Sequence, residues 1–302
     1  MSQPIAVKAI IHDQEGRFLL QLRDNAAGIS EPNRWGFFGG GVEEGETLTD
    51  ALERELQEEL SCRVGQVGNE LFRWDRCPDG ILNVCFAVRF AVSDDDLLLM
   101  EGKDFAWFSP DELVDVPLSS LVYENMSQLL RIAAKVDSSA DARLEQAILR
   151  HGKLRKKNER VFYARETPVV LGMQLIMLMK ELAEFRGLPV FRVCLHENDD
   201  EGIHEMLMVH TRPVHVGPLK QDKTSLSYHM LDGVADILLH DDTGTCNRTI
   251  RVNSDDNSCG RFVRLKANVF RSIQTISQHS IFLEVASGPF ADNETVWLNK
   301  KG

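Results

Sequence analysis

The sequence predicts an α+β chain of two domains, a first half that mixes strands and helices and an all-β second half of sandwich or jelly-roll type. Three observations predict it. The 302 residues, 43% hydrophobic and 26% charged, suit two hydrophobic cores better than one. Up to about residue 135, alternating apolar runs are joined to one strongly periodic helix. From about residue 190, short apolar segments recur at even spacing between turn formers.

In chain order, residues 5–11 (IAVKAII) and 17–22 (RFLLQL) read as two strands around a turn at Asp13-Gln14-Glu15-Gly16. A turn-rich loop over 25–34 leads to Trp35-Gly36-Phe37-Phe38 and three glycines. Residues 47–60 form the clearest helix, since Leu48, Ala51, Leu52, Glu55, Leu56 and Glu59 recur at helical spacing. Residues 82–92 read as a buried strand, FAWFSPDEL from Phe105 as a strand running into a helix cap, and 123–136 as a further helix. Residues 137–160 turn polar and helix-forming. Their basic run, Lys153-Leu154-Arg155-Lys156-Lys157, reads as part of a solvated linker helix, with phosphate binding as the alternative. The domain boundary is placed here: 1–135, then a helical linker and extension over 136–189, then 190–302. The apolar stretch 169–182, interrupted by Gln174 and Lys180, is too short to span a membrane and reads as a core helix. Strands are expected at 191–195, 206–209, 235–239, 249–252, 262–265 and 281–285.

A net charge of −12 disfavours binding to nucleic-acid backbones, which need clustered Lys and Arg. It does not exclude a nucleotide substrate, because a bound cation reverses the field locally. None of the six cysteines forms a C-x-x-C pair, and the start MSQPIAVKAI lacks the basic and apolar regions of a signal peptide. The expectation is buried or free thiols in a reducing cytoplasm.

The chemistry concentrates in the 47–60 helix. Glu55, Glu58 and Glu59 stand at i, i+3 and i+4 and project from one side, where like charges repel. A divalent cation offsets that repulsion, and hard carboxylate oxygens suit Mg²⁺ or Mn²⁺. Arg54 precedes Glu58 by four residues and can orient a carboxylate. Gly39-Gly40-Gly41 lets backbone approach a metal or phosphate closely, and Glu46 can brace that loop. For base recognition the exposed-aromatic candidate is Trp74, flanked by Arg73, Asp75 and Arg76. Arg23 is a phosphate candidate.

Gly40, Glu46, Arg54-Glu55, Glu58-Glu59 together match the Nudix signature G-x5-E-x7-R-E-U-x-E-E-x-G-U, departing only where Ser61 and Cys62 replace its glycine and aliphatic. Residues 4–135 thus resemble a Nudix hydrolase domain. The resemblance implies an α/β/α sandwich with Glu55, Glu58, Glu59 and the Gly39 carbonyl as metal ligands, and Arg54 and Glu46 supporting them. It also implies a distant acidic residue acting as metal ligand or general base, for which Glu101 is the candidate and Asp104 the fallback.

Residues 190–298 resemble the WbuC-type cupins, a jelly-roll barrel family. The likeness rests on Phe191-Arg192-Val193-Cys194-Leu195-His196, Glu205-Met206-Leu207, Ser227-Tyr228-His229, Leu239-His240-Asp241 and Gly288-Pro289-Phe290. Leu219, Gln221, Leu226 and Arg271 occupy the positions of the family's metal ligands, so no metal is expected in this half. His196, Arg192 and Arg271 could line an anion or sugar pocket instead, the alternative being a structural unit that supports dimerisation.

The combined expectation is a Nudix α/β/α sandwich followed by a cupin-like jelly-roll barrel. The reaction expected is Mg²⁺- or Mn²⁺-dependent cleavage of a nucleoside diphosphate-linked substrate, of the nucleotide-sugar or ADP-ribose type. The alternatives are an (oxidised) nucleoside triphosphate as substrate, or a nucleotide sensor without turnover. The partners expected are a small nucleotide and a second copy of the chain in a homodimer, with neither nucleic acid nor membrane.

Overall fold

The computed structural model describes residues 3–26, 28–61, 66–76, 80–89, 97–289 and 295–298. Cys62, Cys77, Phe290 and residues 90–92 of the expected strand lie outside them. The chain divides into two compact units: Met1–Ile148 with Gly172–Leu182, and Leu149–Leu171 with Ala183–Gly302.

In the first unit, strands β1 (Ile5–His12), β2 (Phe18–Leu22) and β3 (Trp35–Gly36) lead to helix α1 (Leu48–Leu60), followed by β4 (Gln66–Trp74), β5 (Leu82–Arg89) and β6 (Asp104–Phe108). They form a mixed six-stranded sheet in the order β3-β2-β1-β5-β4, with β6 paired to β2. The central pair is parallel, in register from Ile5↔Leu82 to Ile11↔Val88. Alternation along these strands turns Val7, Ala9 and Ile11 together with Val84, Phe86 and Val88 to one face, where Ala51, Leu52, Leu56 and Leu60 of α1 cover them.

The ends of α1 are defined by its own residues. Thr47 accepts a hydrogen bond from the Asp50 N–H while Asp50 accepts one from the Thr47 N–H, a reciprocal N-cap. The helix stops at Ser61, which is left-handed at φ 48°. This is the residue standing where the signature has glycine, and the geometry gives the reason: an L side chain resists that conformation and glycine does not.

The helix expected over 123–136 is two, α2 (Ser120–Tyr123) and α3 (Met126–Ala133), separated at Glu124-Asn125, where the Asn125 amide donates to the Leu121 carbonyl at 2.8 Å. The stretch read as a linker helix is α4 (Ala140–His151) followed by strands β7 (Leu154–Asn158) and β8 (Val161–Ala164). The basic run therefore lies largely on a strand at the end of a sheet. Lys153 pairs with Glu166 at 2.6 Å, Lys156 with Glu159 at 2.6 Å and Lys157 with Asp199 at 3.3 Å, so these charges are already engaged. Lysines facing solvent on a sheet edge also discourage pairing with another chain.

After α5 (Met173–Phe185), the second unit continues with β9 (Val190–Cys194), β10 (Ile203–His210), β11 (His215–Gln221), β12 (Leu226–Asp232), β13 (Val234–His240) and β14 (Cys246–Asn253). It finishes with β15 (Phe262–Leu265), β16 (Phe270–Thr275), β17 (Ser280–Ser287) and β18 (Thr295–Trp297). Two sheets result, seven-stranded β15-β12-β17-β10-β9-β8-β7 and five-stranded β14-β13-β16-β11-β18. Tyr228 and Phe282 of the first sheet and Ala235, Ile237, Val252 and Ile273 of the second belong to one buried cluster, so the sheets face each other across a shared core. This is an open two-sheet sandwich. The closed barrel expected from the sequence is not formed among the described strands. No helix among the described residues is long and apolar enough to cross a membrane.

Candidate active site

The glycine loop is fastened to β1. Ala9 N–H donates to the Phe38 carbonyl at 3.0 Å, Val7 N–H to Gly40 at 2.9 Å, and Val42 N–H to Ile5 at 3.0 Å. That fastening leaves no room for side chains. A Cβ on Gly39, whose φ is +110°, would sit 2.3 Å from the Val7 carbonyl oxygen, and one on Gly40 would sit 2.4 Å from a Glu55 carboxylate oxygen. The glycines are thus where loop backbone and helix carboxylates meet.

Arg54 organises the acidic face of α1. Its Nε and Nη2 grip the two oxygens of Glu46 at 2.8 and 3.1 Å, a bidentate pair. Nη1 donates to Glu55 at 2.8 Å and Glu58 at 3.0 Å, and Nη2 also reaches the Gly41 carbonyl at 2.9 Å. The bond to Arg54 holds the Glu46 carboxyl below the usual carboxylate range, and Glu46 in turn, with Glu55, holds the guanidinium firmly charged. Of the three glutamates, Glu58 is the outward one, with 53% of its side chain exposed. Glu59 is 8% exposed and accepts from the Gly39 N–H at 2.7 Å. Burial pushes the Glu59 carboxyl above its ordinary value, opposed by Lys8 and by that N–H.

Beside this cluster lies a cavity of about 490 Å³. Glu59, Glu101, Arg23, Trp74 and Gly39 to Gly41 line it, whereas Arg54, Glu55 and Glu58 do not. Arg23 has its Nε buried with no hydrogen-bond partner among the described residues, an unsatisfied donor beside the cavity. The Glu101 backbone carbonyl accepts from Gln21 at 3.0 Å, and its side chain is exposed. Asp104, the fallback base, does not line the cavity; it caps the adjacent Phe105 N–H. Trp74 was expected to be exposed. It is 7% exposed, with its indole N–H turned to Glu124 at 3.3 Å, and so is part of the wall.

Among the lining residues that sequence reasoning did not single out are three polar side chains on strands, Lys8, Gln21 and Asn83. Each is a polar residue inside an otherwise apolar strand, a signal that was available in IAVKAII, FLLQL and LNVCFAV. Lys8 matters most. Its ammonium donates to the Gly39 carbonyl, and burial lowers its pKa against the attraction of Glu59 and Glu55.

Residues 2–130 match the family model described as NUDIX domain. This part of the chain is a NUDIX domain. Over 126 residues, 37% of this chain and 87% of the relative, it is 26% identical to a protein named nucleoside triphosphatase NudI of Escherichia fergusonii. Over 114 residues, 37% of this chain and 23% of the relative, it is 30% identical to a protein named NAD-capped RNA hydrolase NUDT12 of Macaca fascicularis. A solution structure of the E. coli ORF135 protein aligns at TM-score 0.37 and 28% identity, over 46% of this chain and 96% of that one. The NUDIX domain makes the chain a pyrophosphohydrolase.

Nudix hydrolases use divalent metals. Among the described residues no three His, Cys, Asp or Glu side chains are arranged to hold a metal ion, the box glutamates included. The hydrogen bonds give the reason: Arg54 holds Glu55 and Glu58, and the Gly39 N–H holds Glu59. The donor set still fits a hard cation. A carbonyl and carboxylates already surround a positive charge, since the Lys8 ammonium sits on the Gly39 carbonyl in the field of Glu59 and Glu55.

Proposed function

We propose that the NUDIX domain cleaves the phosphoanhydride of a nucleoside diphosphate-linked substrate, of the nucleotide-sugar or ADP-ribose type, with Mg²⁺ or Mn²⁺. The observation carrying this reading is the packing of the glycine loop onto the α1 carboxylates beside a cavity with two basic side chains, Lys8 and Arg23. Glu55, Glu58, Glu59 and the Gly39 carbonyl would hold the ion. When bound, it supplies charge neutralisation on the phosphate oxygens and a water acidic enough to attack.

The rest falls to the chain's own residues. Glu46 fixes Arg54, and Arg54 holds Glu55 and Glu58 in orientation. Arg23 offers its unpartnered donor to a phosphate oxygen. Trp74 and Phe37 wall the cavity against the base or sugar. Glu101, an exposed residue lining the cavity, accepts the proton of the attacking water. The products are a nucleoside monophosphate and the phosphorylated remainder.

A second reading, a nucleoside triphosphate yielding monophosphate and pyrophosphate, is favoured by the name of the relative nucleoside triphosphatase NudI. The name NAD-capped RNA hydrolase favours the diphosphate-linked reading. A panel of ADP-ribose, nucleotide sugars, NAD and the nucleoside triphosphates, incubated with the chain and Mg²⁺ and resolved by chromatography, separates them. The proposal expects the highest kcat/KM on a diphosphate-linked compound. Highest turnover on a triphosphate would support the second reading, and tight binding of a nucleotide with no turnover would make the domain a sensor.

We infer a cupin-like jelly roll for the second unit, with Leu219, Gln221, Leu226 and Arg271 at the family's ligand positions and hence no metal there. Stoichiometric Fe, Ni or Zn retained through chelation would contradict that. We also place the enzyme in the cytoplasm as a homodimer, which light scattering after size exclusion tests.

A further inference from the structure

The interior of the second unit contains charge that its own residues leave unsatisfied. On β17, Glu284 lies between Phe282 and Ala286, both in the buried cluster, so alternation points its side chain between the sheets. Arg192, two residues before the core residue Cys194 on β9, and Arg271, two before Ile273 on β16, are directed the same way. Strand β10 lies between β9 and β17, with Met208 opposite Arg192 and Met206 opposite Glu284. Arg192 and Glu284 are thus two strand spacings apart and offset by two residues along the strands, roughly 12 Å between their Cα atoms. Arg271 approaches from the facing sheet.

These groups interact electrostatically, and Arg271 and Arg192 oppose the upward push that burial gives the Glu284 carboxyl. Yet they do not close on one another. Among the described residues, neither the Arg192 guanidinium nor the Glu284 carboxylate makes a hydrogen bond or a close ion pair, and Arg192 Nε is fully buried without a partner. Arg271, 6% exposed, gives its Nη2 to Gln221 at 2.7 Å, its Nη1 to the Leu219 carbonyl at 3.5 Å and a further hydrogen bond to the Tyr228 hydroxyl, and among the described residues only its Nε is left without a partner. Glu284 and Arg192 each keep some accessible surface although alternation points them inward. Two obligate cations against one carboxylate leave a net positive interior, and an unmet buried charge is expensive.

We propose that the space between the two sheets of the second unit binds a small hydroxylated anion of the sugar-phosphate class, with Arg192 and Arg271 donating to the phosphate and Glu284 accepting from a hydroxyl. The phosphate supplies acceptors for both guanidinium groups, and the hydroxyl supplies the donor that the carboxylate lacks. Nothing in this depends on the activity of the NUDIX domain.

The test is isothermal titration of the full chain in EDTA with ribose 5-phosphate, inorganic phosphate and ribose. The proposal expects saturable binding of ribose 5-phosphate, weakened about tenfold or more by Arg192→Met and by Glu284→Gln. Inorganic phosphate should bind more weakly, lose affinity with Arg192→Met and ignore Glu284→Gln. Because Arg192 gives up no hydrogen bond, Arg192→Met should melt no lower than wild type in plain buffer. Absence of saturable binding of either phosphate compound, or equal binding by Arg192→Met, would overturn the site. So would a large drop in Tm of that variant without ligand, which would mark Arg192 as structural.

Discussion

Two residues carry the most direct consequences of the geometry. Gly40 faces the Glu55 carboxylate so closely that a methyl group has no room, its Cβ falling 2.4 Å from an Oε. Gly40→Ala should therefore push Glu55 out of line and lower kcat by about 10²-fold or more, as expected when a catalytic array is displaced by an ångström. Steady-state kinetics beside a melting curve check it, with activity falling much further than stability. Ser61 gives the opposite kind of prediction. It is held left-handed at φ 48° with its backbone N–H on the Gln57 carbonyl, so Ser61→Gly should stabilise the first unit by about 1 kcal/mol, read from urea unfolding. The signature positions were legible in the sequence because spacing alone brings Glu46, Arg54 and the three glutamates together on one helix and its lead-in loop. The polar break at Lys8 was legible but its role was not, because that role depends on β1 running beside the glycine loop, a contact between residues 31 apart in sequence.

At the scale of elements, periodicity succeeded where burial was one-sided and strong. The 47–60 helix, β1, β2 and the strands β9, β10, β13, β15 and β17 all lie where alternation or helical spacing of apolar residues placed them. It failed at β11, where Gly217-Pro218 and a register shift between Val216 and Leu219 interrupt the pattern, and at β7, whose basic residues face solvent and read as a helix. Propensity gives way to pairing at such edges. One strand also titrates. His210 on β10 is 1% exposed, and burial lowers its pKa to about 4. The folded state then binds fewer protons than the unfolded one between about pH 6.5 and 4, so stability is full above that window and is lost as pH falls through it. Between pH 7 and pH 5 the second unit should lose about 2 kcal/mol, a loss that His210→Gln largely removes. Urea unfolding at the two pH values, followed by a probe in this unit, measures it, and an equal loss in the variant would assign the effect elsewhere.

For the whole molecule, the NUDIX match at residues 2–130 accounts for less than half of the chain, and the second compact unit is a two-sheet fold with its own core. Chelation should separate the two. EDTA is expected to abolish nucleotide hydrolysis while leaving the second unit's unfolding midpoint unmoved, and a downward shift in that midpoint would show that it too depends on a bound ion. In the proposed function the α1 carboxylates held against the glycine loop perform the hydrolysis. Its most direct test is the Mg²⁺-supported turnover of the best substrate by wild type and by Glu59→Gln, the variant that keeps the shape of the side chain buried on the Gly39 N–H. The expected result is a loss of about 10²-fold or more in kcat with Tm unchanged or raised, since a buried carboxylate with an elevated pKa is replaced by a neutral amide. Turnover equal to wild type would contradict it.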